Sequence, residues 1–279
     1  MAVVLALLSS VLWGTADYLG GNLTKRFKAI AVTGVSQAFG LVFGLILVFS
    51  SHSFQSPNLS WDGYFLPAVG AGIAGFLGLV SFYSGLATGR MGVVSPISTL
   101  SAVIPLSVAF ISGERATSIQ IMGMCIAIFG AFCASGPDIV KGLPLKPLLF
   151  GLGAALGFGI ALTFMAQGAK TNSLLTMTSM RVASVGVCIL IALKARTIGG
   201  FKYNDLKLLM AVGVIDFLAN LLLGVATTKG LVSVAMVLGS LFPIVTALLA
   251  YKFLQERLHR IQYAGIFFAV SGVALISLG

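Results

Sequence analysis

Long apolar runs alternate along the chain with short polar connections, and this pattern predicts helices that cross a lipid bilayer. A crossing needs about 20 mainly apolar residues. Ten runs qualify: residues 2–22, 29–50, 64–87, 92–112, 117–136, 147–169, 172–193, 207–228, 231–254 and 261–278. The connections carry the helix breakers, as in SFQSPNLSWDG, GERAT and GPDIVKGLPLK, and none leaves room for a soluble domain. The run at the N-terminus holds Asp17 and lacks a basic leader, so it reads as the first crossing and not as a cleaved signal.

The pattern is written twice. Glu114 to Ser135 (ERATSIQIMGMCIAIFGAFCAS) and Glu256 to Ser277 (ERLHRIQYAGIFFAVSGVALIS) align without a gap at an offset of 142. Eight of 22 positions are identical, among them Glu114/Glu256, Arg115/Arg257, Gln120/Gln262, Gly123/Gly265, Ala127/Ala269 and Gly130/Gly272. Upstream of each copy, Gly92, Val94, Ser95, Leu100 and Pro105 match Gly230, Val232, Ser233, Leu238 and Pro243 at an offset of 138. Internal repeats constrain architecture before any other signal. The boundary falls in the Pro- and Gly-rich connection 136–147, giving a first repeat of residues 1–140 and a second of residues 141–279. Each holds five runs, an odd number, so the second copy enters the bilayer from the opposite face. The expected fold is an all-α membrane protein with ten transmembrane helices arranged as two inverted five-helix repeats.

Composition agrees with a bilayer and narrows the function. Of 279 residues, 58% are hydrophobic and 9% charged, with a mean hydropathy of +1.07. These values exclude an ordinary soluble surface. The net charge of +10 does not point to nucleic acid, because the cations are spread over short connections and form no patch interleaved with aromatics. Arg115, Lys170 and Lys229 lie in even-numbered connections and Arg181 within a run, leaving 13 of the 17 cations in or beside odd-numbered ones. The positive-inside rule then puts both termini outside the cytoplasm. Cys125 and Cys133 lie about 12 Å apart along a helix, too far for a disulfide, and Cys188 is likewise inside an apolar run. GxSxG, HExxH and phosphate-loop motifs are absent, and His52 and His259 lie in connections. No enzyme chemistry, metal or other cofactor is expected.

The polar residues inside apolar runs carry the candidate chemistry. Asp62, Asp138 and Asp205 sit in connections, where water accounts for them. Glu114 and Glu256, beside Arg115 and Arg257, stand at helix junctions; each is expected to compensate the helix that starts just afterwards, with a gating ion pair as the alternative. Asp17 and Asp216 lie within runs, where a carboxylate is costly unless it faces a wet cavity or a partner. Asp216 is the deeper, with Asn220 one turn along on the same face, whereas interfacial water is an alternative for Asp17. Arg181 is the buried cation of the seventh run, placed either to form a structural ion pair or to meet a charged substrate. For proton coupling, Asp216 is the first candidate and Asp17 the second; Asp216→Asn is expected to abolish driven accumulation and to leave exchange.

Trp13, Tyr18, Tyr83, Ser95, Ser98 and Gln167 join Arg181, Asp216 and Asn220 as candidate substrate contacts, with Gln37, Thr99, Ser101, Ser233 and Ser240 beside them. Each serine could instead bond its own helix's carbonyl. Trp13 and Gly14 align with Phe158 and Gly159 at an offset of 145, an aromatic platform suited to a flat or cationic solute. The glycine-rich third and sixth runs (Gly70, Gly72, Gly75, Gly78; Gly151, Gly153, Gly157, Gly159) suit close helix packing. Pro96, Pro105 and Pro243 interrupt the fourth and ninth runs, and broken helices at matching places in two halves point to a transport site near the midplane.

VLWGTADYLGGNLTKR, GVVSPISTLSAVIP, GLVSVAMVLGSLFP and the two Glu-Arg…Ile-Gln…Gly hairpins resemble the drug/metabolite transporter superfamily in its EamA-type ten-helix branch, over nearly the whole chain. The resemblance implies a central cavity lined by the first, third, fourth, sixth, eighth and ninth spans, with alternating access by rocking bundles. It also implies cytoplasmic termini, against the charge count. Pro105 stands nine residues before Glu114 while Pro243 stands thirteen before Glu256, so the fourth span is shortened after its proline. The expected function is movement of a small organic metabolite or drug across a plasma (inner) membrane, by export and with possible proton coupling, as a monomer or homodimer. A passive channel, a non-transporting scaffold, or exchange of nucleotide sugars or other phosphorylated solutes are the alternatives.

Overall fold

Among the described residues the apolar runs fold as helix. α1 (Ala2–Thr24), α2 (Ala29–Ser50) and α3 (Phe65–Leu86) follow the first three runs to within two residues at either end. The computed structural model describes residues 1–88, 91–134, 145–197, 199–254 and 259–279, and every regular element among them is helical. The proposed boundary between halves and the Glu256–Arg257 pair lie outside the described residues.

The fourth and ninth runs are broken, but not at their later prolines. α4 (Met91–Thr99) gives way to a single 3₁₀ turn at Leu100–Ala102 and then to α5 (Val103–Ile111). α9 (Val232–Gly239) and α10 (Phe242–Leu254) flank a tightened turn in which the Leu241 N–H donates to the Leu238 carbonyl at 3.3 Å. Pro105 and Pro243 therefore sit in the first turn of the second helix. A missing N–H costs nothing there, because the first turn has no intrahelical acceptor to lose.

α6 (Ser118–Ala134) is followed by α7 (Leu145–Ala195), which joins the sixth and seventh runs through one non-helical residue, Asn172, at φ −160° and ψ 108°. Its side-chain oxygen accepts from the Leu175 N–H at 3.0 Å, so the second half of α7 begins with its own N-cap. α8 (Tyr203–Lys229) starts four residues earlier than the apolar pattern suggests. Asp205 explains the extension: it accepts from the Lys202 N–H at 3.1 Å and pairs with Arg26 at 3.0 Å. α11 (Arg260–Leu278) closes the chain.

Among the described residues, seven stretches are long and apolar enough to cross a membrane, the longest being the broken Leu145–Lys194, while Ile97–Ile111 and Ser118–Ala134 are shorter apolar helices. Small residues decide how they pack, since lipid supplies no hydrophobic drive for association. Gly78 and Gly157 bring the backbones of α3 and α7 into contact. The repeated glycines meet one another: Gly130 faces Gly265 and Ala269, and Gly123 faces Gly272 and Ile276. Contacts thus run in opposite order along α6 and α11, so these equivalent helices lie antiparallel.

The other repeated residues also find a use. Gln120 accepts from the Thr117 N–H and Gln262 from the His259 N–H, both at 2.9 Å, so the conserved position of each copy caps its own helix. Glu114, expected to serve α6, instead accepts from the backbone N–H groups of Val232 (2.8 Å) and Ser233 (2.9 Å) and from the Ser233 hydroxyl. It caps α9, a helix of the other half. With Gln120 already closing α6, the carboxylate is free to serve a helix N-terminus whose own N-cap, Leu231, has no side-chain acceptor.

Candidate functional site

Helix α8 places Asp216 and Asn220 one turn apart, and the Asn220 amide donates to both the Asp216 backbone carbonyl (2.8 Å) and Oδ1 (3.2 Å). Three other helices reach the same carboxylate. Trp13 Nε1 of α1 donates to Oδ1 at 3.0 Å, Gln37 Nε2 of α2 donates to Oδ2 at 3.0 Å, and Arg181 Nη2 of α7 donates to Oδ2 at 2.8 Å. Arg181 Nη1 donates to Gln37 Oε1 at 2.8 Å, an oxygen that also accepts from the Ser184 hydroxyl at 3.1 Å. The guanidinium lies 5.9 Å from the Phe217 ring centroid. Both oxygens of Asp216 are thereby occupied and its charge is matched.

This arrangement depends on close approach of α2 and α8. A side chain at Gly213 would strike the Ser36 carbonyl, and one at Gly40 would meet the Gly213 carbonyl. The glycine pair lets the two backbones touch and brings Gln37 within reach of Asp216. Arg181 Nε packs beside Gly40, sealed from solvent and without a partner among the described residues.

Asp17 lies one turn after Trp13 on α1 and lines the same cavity, 7% exposed and with no hydrogen-bond partner among the described residues. The lining also includes Phe158 and Phe242, with Ser101 and Ser240 at the two helix breaks. Trp13 and Phe242 meet edge to face, their centroids 6.2 Å apart. About 70 Å³ of the space admits the centre of a water-sized molecule, enough for several waters. Asp17, Asp216 and Arg181 are the charged groups among its lining residues, so with both carboxylates ionised the wall carries a net charge of −1.

The predicted residues divide clearly. Trp13, Asp17, Arg181, Asp216 and Asn220 come together on this cavity, with Gln37, Ser101 and Ser240. Tyr18 instead packs against Phe253, and Tyr83 is buried against Gly20 and Phe82. Ser95 and Ser98 are buried in α4, where the Ser98 hydroxyl donates to the Ser95 carbonyl at 2.8 Å. Gln167 accepts from Lys170 at 2.9 Å near the break in α7, and Ser233 serves the Glu114 cap. These residues lie off the cavity lining. Arg115 is exposed beside the cap.

Gln37 and Arg181 add α2 and the second half of α7 to the six spans that the family resemblance names as the cavity wall. Contributors that were missed include Phe76, Ser184 and Phe242. Ser184 lies three residues after Arg181 on the same face, a spacing that could have revealed it, and Phe242 sits directly before Pro243 at the helix break. No group of three or more His, Cys, Asp or Glu that could hold a metal forms among the described residues.

Comparisons with known proteins bear on the fold and the family. A solved protein crystal structure superposes with a TM-score of 0.80 at 16% identity, covering 99% of this chain and 96% of its own, which shows a shared fold. An uncharacterized protein of Methanocaldococcus jannaschii is 28% identical over 131 residues, which are 47% of this chain and 96% of the relative. The profile of the EamA-like transporter family matches residues 1–136 and again residues 145–278. The chain is a multi-pass membrane protein and belongs to the EamA-like transporter family.

Proposed function

We propose that the chain crosses the bilayer ten times as two inverted repeats, residues 1–140 and 141–279, and moves a small organic solute by alternating access through the cavity around Asp17. Several observations support this topology. The sequence-equivalent helices α6 and α11 lie antiparallel, and a relative exists whose near-full length matches about half of this chain. The breaks at Leu100–Ala102 and between α9 and α10 fall at matching places. Broken helices of this kind mark the substrate site in inverted-repeat transporters.

The observation that carries the mechanism is the contrast between the two carboxylates. Asp216 has four donors on its two oxygens and a guanidinium at 2.8 Å. Its donors tie α1, α2, α7 and α8 together at one carboxylate. Asp17 has no such partner among the described residues. A nearly buried carboxylate facing a cavity must take up a proton, a cation or a donor to be stable there. Asp17 therefore replaces Asp216 as the leading candidate for coupling: it releases its proton when the cavity opens to the side of low proton activity and takes one up on the other. Export from the cell across the plasma membrane, driven by protons entering, follows from that exchange.

Purified protein in liposomes tests the reading by counterflow. Unlabelled solute preloaded inside should drive transient, saturable accumulation inside the liposomes of the same labelled solute supplied outside, and Asp17→Asn should lose its response to an imposed pH gradient. Flux proportional to concentration without trans-stimulation would identify a channel instead.

A further inference from the structure

The cavity's charge arrangement restricts what it can accept. Resting on the transport reading above, we infer that the solute is a monovalent organic cation with an aromatic or apolar body, its charge centre paired with Asp17 and competing there with one proton.

Three features converge on this class. The first is the sign of the free charge. Arg181 spends Nη2 on Asp216 and Nη1 on Gln37, and its Nε is sealed beside Gly40 with no accessible surface. No guanidinium face is left for a solute carboxylate or phosphate unless the Asp216 pair first breaks. Asp17 is left over, lining the cavity, over nine-tenths buried and without a hydrogen-bond partner among the described residues. Anions are repelled, and a zwitterion brings a carboxylate that nothing receives.

The second feature is the wall. The Trp13 ring is fixed one turn before Asp17 by its N–H bond to Asp216, and Phe242 meets it edge to face. Phe158 and Phe76 complete an aromatic lining. Ring faces attract an ammonium within about 6 Å of their centroids, most strongly when water is excluded. The third feature is the arithmetic of charge. With Asp216 and Arg181 cancelling, the wall is neutralised by one positive charge, so one proton or one monovalent cation fills the site and their exchange is electroneutral. The groups facing Asp17 from the helices packed against it are Asp216 on α8, Arg181 on α7 and Tyr83 on α3, whose ring abuts Gly20.

The test uses a charge series on one aromatic body: (2-phenylethyl)trimethylammonium, 2-phenylethanol, 3-phenylpropionate and phenylalanine. Binding to the purified full chain is measured by calorimetry and transport by counterflow in liposomes. The ammonium should bind roughly tenfold or more tightly than the other three. It should bind more weakly as pH falls and protons occupy Asp17, lose that affinity in Asp17→Asn and recover part of it in Asp17→Glu. The selectivity series on the wild-type chain stands without any variant. Preference for the anion, zwitterion or alcohol, undiminished ammonium binding in Asp17→Asn, or no binding of any member overturns the inference. Saturable counterflow of a non-cationic member would do so while leaving the transporter reading intact, whereas linear, non-saturable flux of the ammonium overturns the transporter reading itself.

Discussion

Trp13 on α1 donates its indole N–H to Asp216 on α8 across 3.0 Å, a bond that spans 203 residues of sequence and ties the first helix of one half to the second. One turn further along α1, Asp17 lines the same cavity with no hydrogen-bond partner among the described residues. Two carboxylates in one hollow thus have opposite environments, and their substitutions should behave in opposite ways.

Replacing Asp216 strands a buried cation. Asp216→Asn leaves Arg181, whose side chain is 6% exposed, without its counter-charge. Removing one member of a buried pair costs about 3–5 kcal/mol. Thermal unfolding of the purified variant should show a strongly lowered midpoint, with part of the loss recovered in the double variant Arg181→Gln/Asp216→Asn. A single variant as stable as the parent would mean that the pair does not organise the four helices.

Replacing Asp17 should leave the fold standing. Asn is close in shape, and the change removes a nearly buried group that lacks a partner, so stability should equal or exceed that of the parent. Uphill accumulation under a pH gradient should fall to the level of empty liposomes. Retained gradient-driven uptake in Asp17→Asn would return the coupling role to another group.

Glu114 should act on a helix of the other half. Glu114→Ala removes the acceptor for the Val232 and Ser233 amides, a loss of about 1–2 kcal/mol for an N-cap. Amide hydrogen exchange should quicken at the start of α9 while the start of α6, closed by Thr117 and Gln120, keeps its protection. The reverse pattern would restore the local role that the order of residues along the chain suggests.

Packing glycines should separate stability from transport. Gly130→Leu forces α6 off α11 at Ala269, an overpacking cost of about 1–3 kcal/mol. Neither helix contributes to the cavity lining among the described residues. The folded fraction should therefore transport normally. Gly72→Leu, which would strike the Met180 carbonyl beside Arg181, should impair stability and transport together.

The hydrophobic pattern revealed the helices because a bilayer demands long apolar runs with satisfied backbones. Gly123, Gly130, Gly265 and Gly272 were visible in the sequence only as repeated positions; that they pack against one another is seen in the structure. What the pattern left open concerns direction and partnership. A run of 3.6-residue periodicity does not say which face meets lipid, so Tyr18, Tyr83 and Gln167 read like Trp13 although they lie off the cavity lining. Nor does sequence say that Glu114 serves a helix 118 residues away. The roles of Asp17 and Asp216 were ordered by depth in their runs. What distinguishes them is the number of donors that other helices bring, and that is a property of the packing.

Access to the cavity from each face of the membrane tests the central claim most directly. Ser240 lines the hollow at the break between α9 and α10. In a chain with Cys125, Cys133 and Cys188 replaced and Ser240→Cys introduced, a membrane-impermeant thiol reagent can be applied to either face of oriented liposomes. Alternating access predicts reciprocal rates: a change of pH that raises labelling from one face lowers it from the other. Labelling that rises from both faces together, or that comes from a single face under every condition, would contradict a cavity that changes sides.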